Sequence, residues 1–68
     1  MKISKIKTLR VSIGLTQRDL AQKSGISRAT LSQLETSDDF IYTLTLRTLT
    51  KLAKALEVSV RDIIPENI

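Results

Sequence analysis

The sequence predicts an all-α fold in which five short helices form one domain, and three observations support this. Apolar residues recur every three or four positions along most of the 68-residue chain, which is the period of an amphipathic helix. Serine, threonine and glycine stand where this pattern is interrupted, as they do at helix ends. The chain has no cysteine and no internal repeat, so a compact core or a partner subunit must stabilise it without disulfides.

The first helix is predicted from about Ile3 to Ser12, and Gly14 ends it. Its apolar positions share one helix face, and basic side chains lie between them. The apolar residues are Ile3, Ile6, Leu9 and Ile13, and the basic residues are Lys2, Lys5, Lys7 and Arg10.

The second helix is predicted over about Gln17 to Lys23. Thr16 precedes it and can accept hydrogen bonds from the unpaired amides of its first turn. Asp19 stands three residues later and can return the bond to the backbone of Thr16, which makes the pair a capping box. Leu20 and Ala21 are expected to face inward.

The third helix is predicted to follow after a turn over residues 24–27. Gly25 can adopt a left-handed backbone conformation without steric cost, as such a tight turn requires. Ser27 is a second N-cap, and the helix after it runs through about Leu34. Two short helices joined in this way form a helix-turn-helix.

Residues 36–45 interrupt the helical pattern and are rich in β-branched and aromatic residues. We expect a loop here. The alternation of Phe40, Tyr42, Leu44 and Leu46 is also consistent with a short strand. A single strand has no sheet in this chain, so that alternative requires a second subunit.

The fourth and fifth helices follow. The fourth begins at Leu46, with apolar residues on one face and basic residues on the other. Its apolar residues are Leu46, Leu49, Leu52, Ala53 and Leu56, and its basic residues are Arg47, Lys51 and Lys54. Val58 and Ser59 interrupt the pattern, Ser59 can cap a fifth helix from Val60 to Ile64, and Pro65 ends that helix.

The composition excludes several classes of function. Without histidine or cysteine, the usual zinc, iron–sulfur, haem and thiol sites cannot be built, so we expect no metal, no cofactor and no enzyme. A carboxylate-based nuclease would need clustered acids, but only Asp38 and Asp39 are adjacent. No membrane span or signal peptide is expected, and the predicted location is cytoplasmic.

Charge is distributed unevenly along the chain. Residues 1–34 carry seven basic and one acidic side chain, whereas residues 35–68 carry four basic and six acidic ones. This asymmetry is compatible with an ordinary solvated surface. It is equally compatible with a polyanionic partner that faces the amino-terminal half.

The third helix has a polar face suited to DNA. At 100° per residue, Arg28, Ala29, Ser32 and Gln33 lie opposite Leu31 and Leu34. In the major groove arginine can bind guanine, glutamine can bind adenine, and small side chains can contact a thymine methyl group. The alternative is that these are ordinary surface residues.

The segment TQRDLAQKSGISRATLSQLE resembles the helix-turn-helix of the phage-repressor and Cro-like family of bacterial regulators. The residues that carry the resemblance are Gln17, Leu20, Ala21, Gly25, Ile26, Leu31, Leu34 and Glu35. The segments KTLRVSIGLTQ and LRTLTKLAKALEVSVRDII also resemble the family's first, fourth and fifth helices. The resemblance implies that residues 1–68 form one compact, five-helix lambda-repressor-like domain with its helix-turn-helix at helices two and three.

The resemblance also implies roles for individual residues. The side chains expected to contact bases are Arg28, Ala29, Ser32 and Gln33. Those expected to contact phosphates are Thr16, Gln17, Arg18, Ser27 and Thr30. Arg10 and Glu35 occupy positions that form an internal ion pair in several family members.

The sequence departs from the family after Glu35. Many members have a short loop there with Asn-Gly, a basic residue and proline, whereas this chain has a longer segment that contains Asp38 and Asp39. Two acids beside DNA would weaken binding, unless the segment folds away from the duplex or pairs with a lysine. Phe40, Ile41 and Tyr42 are expected either to pack over the core or to contact another subunit.

Together these features predict a sequence-specific double-stranded DNA-binding transcriptional regulator. One recognition helix reads few base pairs, so we expect a homodimeric repressor or activator on a pseudo-palindromic operator. The possible dimer contacts are Phe40, Ile41, Tyr42, Val58, Val60, Ile64 and Ile68. The alternative is an antitoxin-like or protein-interaction module that uses the helix-turn-helix as a scaffold.

Overall fold

Six short helices make up residues 4–64, the part of the chain that the computed structural model describes. They are α1 (Lys5–Ser12), α2 (Gln17–Ser24), α3 (Arg28–Thr36), a 3₁₀ helix (Asp38–Thr43), α4 (Leu46–Ala55) and α5 (Val60–Ile63). The all-α prediction and its five α-helices are confirmed. Ile3, Pro65 and Ile68 lie outside the described residues.

Hydroxyl side chains begin the helices at the predicted places. Thr16 Oγ1 accepts a hydrogen bond from the Asp19 amide at 3.0 Å, and the Asp19 carboxylate accepts one from the Thr16 amide at 3.1 Å. Ser27 Oγ accepts from the Thr30 amide at 3.2 Å. Each cap satisfies an amide that the first turn of a helix leaves without a partner.

The core takes residues from all six helices. The largest side chains that are fully buried are Ile6, Leu20, Leu31, Leu34, Ile41, Leu52, Leu56 and Ile63. α2 packs against both α3 and α4, while α3 also contacts α1 and the 3₁₀ helix. α3 is therefore held from several sides.

The segment over residues 36–45 corrects the sequence prediction. It is neither an open loop nor a strand, because residues 38–43 form the 3₁₀ helix. Ile41 is only 1% exposed and Leu44 is half-buried, which is the three-residue spacing that a 3₁₀ helix places on one side. The strand alternative was wrong about which residues face inward, because it placed Ile41 on the opposite face from Phe40, Tyr42 and Leu44.

A second correction concerns the start of α4. Leu46 was expected on the apolar face, but it is 70% exposed. It is the first residue after the cap Thr45, so it lies before the turn at which α4 meets the rest of the core. Leu52, Ala53 and Leu56 are buried as predicted.

Asp19 provides a pH-dependent contribution to stability. Its pKa lies below the ordinary value of 3.8, mainly because its carboxylate accepts the hydrogen bond from the Thr16 backbone amide and further because of the Thr16 hydroxyl. A lowered pKa means that the folded state binds the proton less readily than the unfolded chain. The contribution is therefore complete well above pH 3.8 and is lost as the pH falls below 3.8.

We expect Asp19→Ala to lower the midpoint of thermal unfolding at pH 7, with a deficit that shrinks as the pH is lowered toward 2. The measurement is circular dichroism melting across this range. Gln22→Ala, an exposed change on the same helix, is the control and should show no such trend. A deficit for Asp19→Ala that is equally large at both ends of the range would contradict the capping account.

Candidate nucleic-acid interface

The outer face of α3 is polar and free of acidic side chains. The four residues predicted to contact bases, Arg28, Ala29, Ser32 and Gln33, are all exposed. Leu31 and Leu34 on the opposite face are buried in the core. The structure therefore brings the predicted reading residues together on one surface of one helix.

The turn between α2 and α3 sets the angle between these two helices. Gly25 has a φ of +74°, and its amide donates to the Ala21 carbonyl at 2.9 Å. Ser24 is buried; its hydroxyl donates to the Leu20 carbonyl at 2.7 Å and accepts from the Ile26 amide at 3.3 Å. The sequence did not predict this role of Ser24, because a serine near a helix end is typical of an exposed cap. A buried hydroxyl that links the Leu20 carbonyl to the Ile26 amide has no such local pattern.

The predicted phosphate contacts lie at the starts of α2 and α3. Thr16, Arg18 and Ser27 are exposed, and Thr30 is half-buried with its hydroxyl 2.9 Å from that of Ser27. Helix N-termini present backbone amides and a partial positive charge, which favours anions. The structure thus places these hydroxyl and basic groups on two helix ends that suit phosphate.

Arg10 and Glu35 form the ion pair that the resemblance implies. Arg10 Nε lies 2.6 Å from Glu35 Oε2, and Arg10 Nη2 lies 3.1 Å from Glu35 Oε1. Arg10 Nη1 also donates to the Leu15 carbonyl at 2.6 Å. The two side chains are only 12% and 5% exposed. The pair therefore joins α1, the turn after it and α3 inside the domain.

Gln17 belongs to the same cluster. Its Nε2 donates to Glu35 Oε1 at 3.1 Å, and the side chain is half-buried. This bond was not predicted, because Gln17 and Glu35 are far apart in sequence and Gln17 was assigned only to phosphate. An amide nitrogen carries two N–H donors, so one remains after the bond to Glu35.

The two adjacent acids after α3 have different surroundings. Asp38 is half-buried, and its Oδ1 accepts a hydrogen bond from the Lys5 amide at 3.0 Å at the start of α1. A carboxylate at this position also interacts favourably with the helix dipole. Asp39 is exposed and borders a groove of about 480 Å³ whose lining includes Ser32, Gln33 and Phe40. Of the two acids, only Asp39 therefore lies beside Ser32 and Gln33 on the outer face of α3.

The six predicted dimer contacts that lie within residues 4–64 divide into three groups. Ile41 is a core residue and offers no surface in the folded monomer, so it is removed from the set. Phe40, Val58, Val60 and Ile64 are half-buried. Tyr42 is 54% exposed, and Leu46, which was not predicted, is close to it in sequence and more exposed.

A family model described as helix-turn-helix matches residues 6–63, which is most of the chain. The chain belongs to the Cro/C1-type helix-turn-helix family. It is accordingly a DNA-binding helix-turn-helix regulator, in a family whose members are typically not enzymes. No solved structure matches the chain significantly.

Two further observations concern residues 4–64 of this helix-turn-helix protein. None of their helices combines the length and the apolar character needed to cross a membrane. Their acidic side chains also form no group of three or more that is placed to hold a metal ion.

We expect Glu35→Ala to destabilise the protein by about 3 kcal/mol, because it leaves the buried Arg10 without its partner. Ser32→Ala, an exposed change on the same helix, should alter the free energy of unfolding by less than about 0.5 kcal/mol. Urea unfolding of both variants tests the difference. Equal and small effects would show that the ion pair does not hold α3 in place.

Proposed function

We propose that this protein is a sequence-specific transcriptional regulator that binds a pseudo-palindromic operator as a homodimer. The observation that supports this best is the outer face of α3, where Arg28, Ala29, Ser32 and Gln33 are exposed together over buried leucines. A helix of this kind fits the major groove with its amino-terminal residues toward the bases. Binding alone regulates transcription at an operator, so no catalytic group is required.

The chemistry of the reading residues suggests which base edges they contact. The Arg28 guanidinium can donate two hydrogen bonds to O6 and N7 of guanine. The Gln33 amide can both donate to and accept from adenine, while Ala29 and Ser32 are small enough to approach a thymine methyl group. Each bidentate contact is worth about 1–3 kcal/mol of discrimination against a wrong base.

Contacts to phosphate would fix α3 at the right depth in the groove. Thr16, Arg18, Ser27 and Thr30 supply hydroxyl and guanidinium donors at the starts of α2 and α3. Gln17 can donate its remaining N–H to a phosphate oxygen while Glu35 holds the side chain in position. Such contacts bind every sequence alike and so position the protein without reading the bases.

The proposed dimer follows from the geometry of the operator. Two copies on one face of the duplex place their recognition helices about 34 Å apart. Tyr42 and Leu46 are the large exposed side chains beside the 3₁₀ helix, which itself packs against α3. A contact between two copies at this site would fix the distance between their two α3 helices, because the 3₁₀ helix packs against α3. Phe40 would contribute at its edge, whereas Val58, Val60 and Ile64 follow the opposite end of α4 and form a separate candidate surface.

The acidic and aromatic segment after Glu35 is the feature that favours the protein-interaction alternative. In the folded chain Asp38 accepts a hydrogen bond from the Lys5 amide of α1, Ile41 is buried and Phe40 packs against the core. These three residues of the segment therefore have internal roles, and we propose DNA binding rather than a scaffold for another protein.

Selection of bound sequences from a random duplex pool tests the assignment of the reading face. We expect Arg28→Ala to relax the preference at one base pair in each half-site, and Gln17→Ala to weaken binding evenly across sequences. Both variants should first be shown to be folded, because Gln17 also bonds Glu35. Unchanged preference and affinity in Arg28→Ala at matched salt would mean that the reading face is misassigned.

A charge placed in the proposed dimer contact should separate the subunits. We expect Leu46→Glu to shift the protein toward monomer in analytical ultracentrifugation and to weaken binding to the full operator much more than to a single half-site. Val11→Glu is the matched control, because Val11 is a comparably exposed apolar residue on α1. Loss of the dimer in the control, with none in Leu46→Glu, would place the interface on α1.

A further inference from the structure

A second basic surface lies outside the reading face, where the carboxyl-terminal ends of α2 and α4 meet. A groove of about 320 Å³ is lined there by Lys23, Lys51, Lys54, Ala55 and Glu57. All three lysines are exposed. Three positive charges therefore surround one shallow space with a single carboxylate, and we refer to it as the lysine groove.

The charges of the lysine groove are not balanced within α4. Arg47, Lys51 and Lys54 are spaced four and three residues apart, which places them in one row on the helix surface. Like charges at these spacings repel each other, and the sequence of α4 contains no acidic residue to separate them. Glu57 follows Lys54 by three residues and offsets part of this repulsion, and an external anion would offset what remains.

A structural explanation accounts for only two of the lysines. Lys23 and Lys54 lie in the last turns of α2 and α4, where a positive charge interacts favourably with the helix dipole. Lys51 precedes the last turn of α4 and gains little from that interaction. The helix dipole therefore does not explain the place of Lys51 in the groove.

The position of the lysine groove indicates which anion this is. Lys23 stands two residues before Gly25, and the turn leads directly into Ser27 and Arg28 at the start of the reading helix. α2 packs against both α3 and α4, so the groove and the reading face share one supporting helix. A DNA duplex does not end at the bases that α3 reads, and its phosphates continue outward at one charge per about 1.7 Å of helix axis.

We propose that the lysine groove binds the phosphodiester backbone of the DNA that flanks each half-site. This inference rests on the proposed function, and it extends the footprint beyond the base pairs that α3 reads. The contact adds affinity that depends on salt and on duplex length but not on the flanking sequence. An acidic protein segment is the competing occupant, and it would leave DNA binding independent of these lysines.

The test compares two duplexes that carry the operator enriched by the wild-type protein. One is trimmed to the enriched motif, and the other is extended by about ten base pairs, one helical turn, on each side. We expect Lys51→Gln with Lys54→Gln to reduce the slope of log Kd against log salt by about 3.6 for the dimer on the extended duplex, about 1.8 for each subunit, and hardly at all on the trimmed one. The ratio of variant Kd to wild-type Kd on the extended duplex should then fall about 150-fold between 50 and 200 mM salt.

Lys7→Gln with Arg61→Gln is the control, because it removes two exposed positive charges elsewhere on the surface. It should change both duplexes alike. Equal effects of the lysine-groove variant on the two duplexes, or no effect on either, would overturn the inference while leaving the reading face intact. Failure of the wild-type protein to enrich any sequence would instead overturn the proposed function, and the inference with it.

Discussion

Glu35 accepts hydrogen bonds from Arg10 and Gln17, and this cluster ties the carboxyl-terminal half of α3 to α1 and to the start of α2. Arg10 also donates to the Leu15 carbonyl, so the turn between α1 and α2 is fixed by the same guanidinium. A buried ion pair adds little net stability, because desolvation of the two charges offsets most of their attraction. Its effect is geometric: it permits one arrangement of the three helices and penalises others.

The remaining constraints on α3 act on its inner face and its start. Leu31 and Leu34 are buried in the core, and the left-handed Gly25 with the buried Ser24 sets the direction in which α3 begins. Asp38 adds a link at the other end of α3, because this first residue of the 3₁₀ helix accepts a hydrogen bond from the Lys5 amide at the start of α1. With three sides held in this way, only the outer face of α3 is available to a partner. Preorganisation of this kind reduces the entropy that binding must overcome.

The parts of the fold that the sequence predicted are those that local chemistry decides. The helix caps and the turn depend on hydrogen bonds to amides and carbonyls only a few residues away. The roles of Thr16, Gly25 and Ser27 could therefore be predicted from the local sequence. The Lys5–Asp38 hydrogen bond joins residues that are 33 positions apart, and no local sequence pattern predicts it. Helical periodicity predicted wrongly that Leu46 is buried. The spacing of apolar residues identifies one face of a helix, but it does not show whether another element packs against the first turn of that face.

The same distinction applies to the candidate site. The reading residues of α3 share one helix, so their common face followed from the helical repeat alone. The lysine groove combines Lys23 with two lysines of α4, and the bond from Gln17 to Glu35 joins two helices. Both depend on how α2 packs against its neighbours, which the sequence does not specify without the fold. The different surroundings of Asp38 and Asp39 likewise depend on the fold, because only the packed structure shows which of the two acids bonds to α1.

Nuclear magnetic resonance titration of ¹⁵N-labelled protein with its enriched operator, trimmed to the motif, tests most directly whether α3 is the surface that reads DNA. The account predicts that the largest changes in amide chemical shift fall on residues 16–18 and 27–33, with α5 almost unaffected. Changes concentrated on α1 or α5, with those of α3 small, would contradict it.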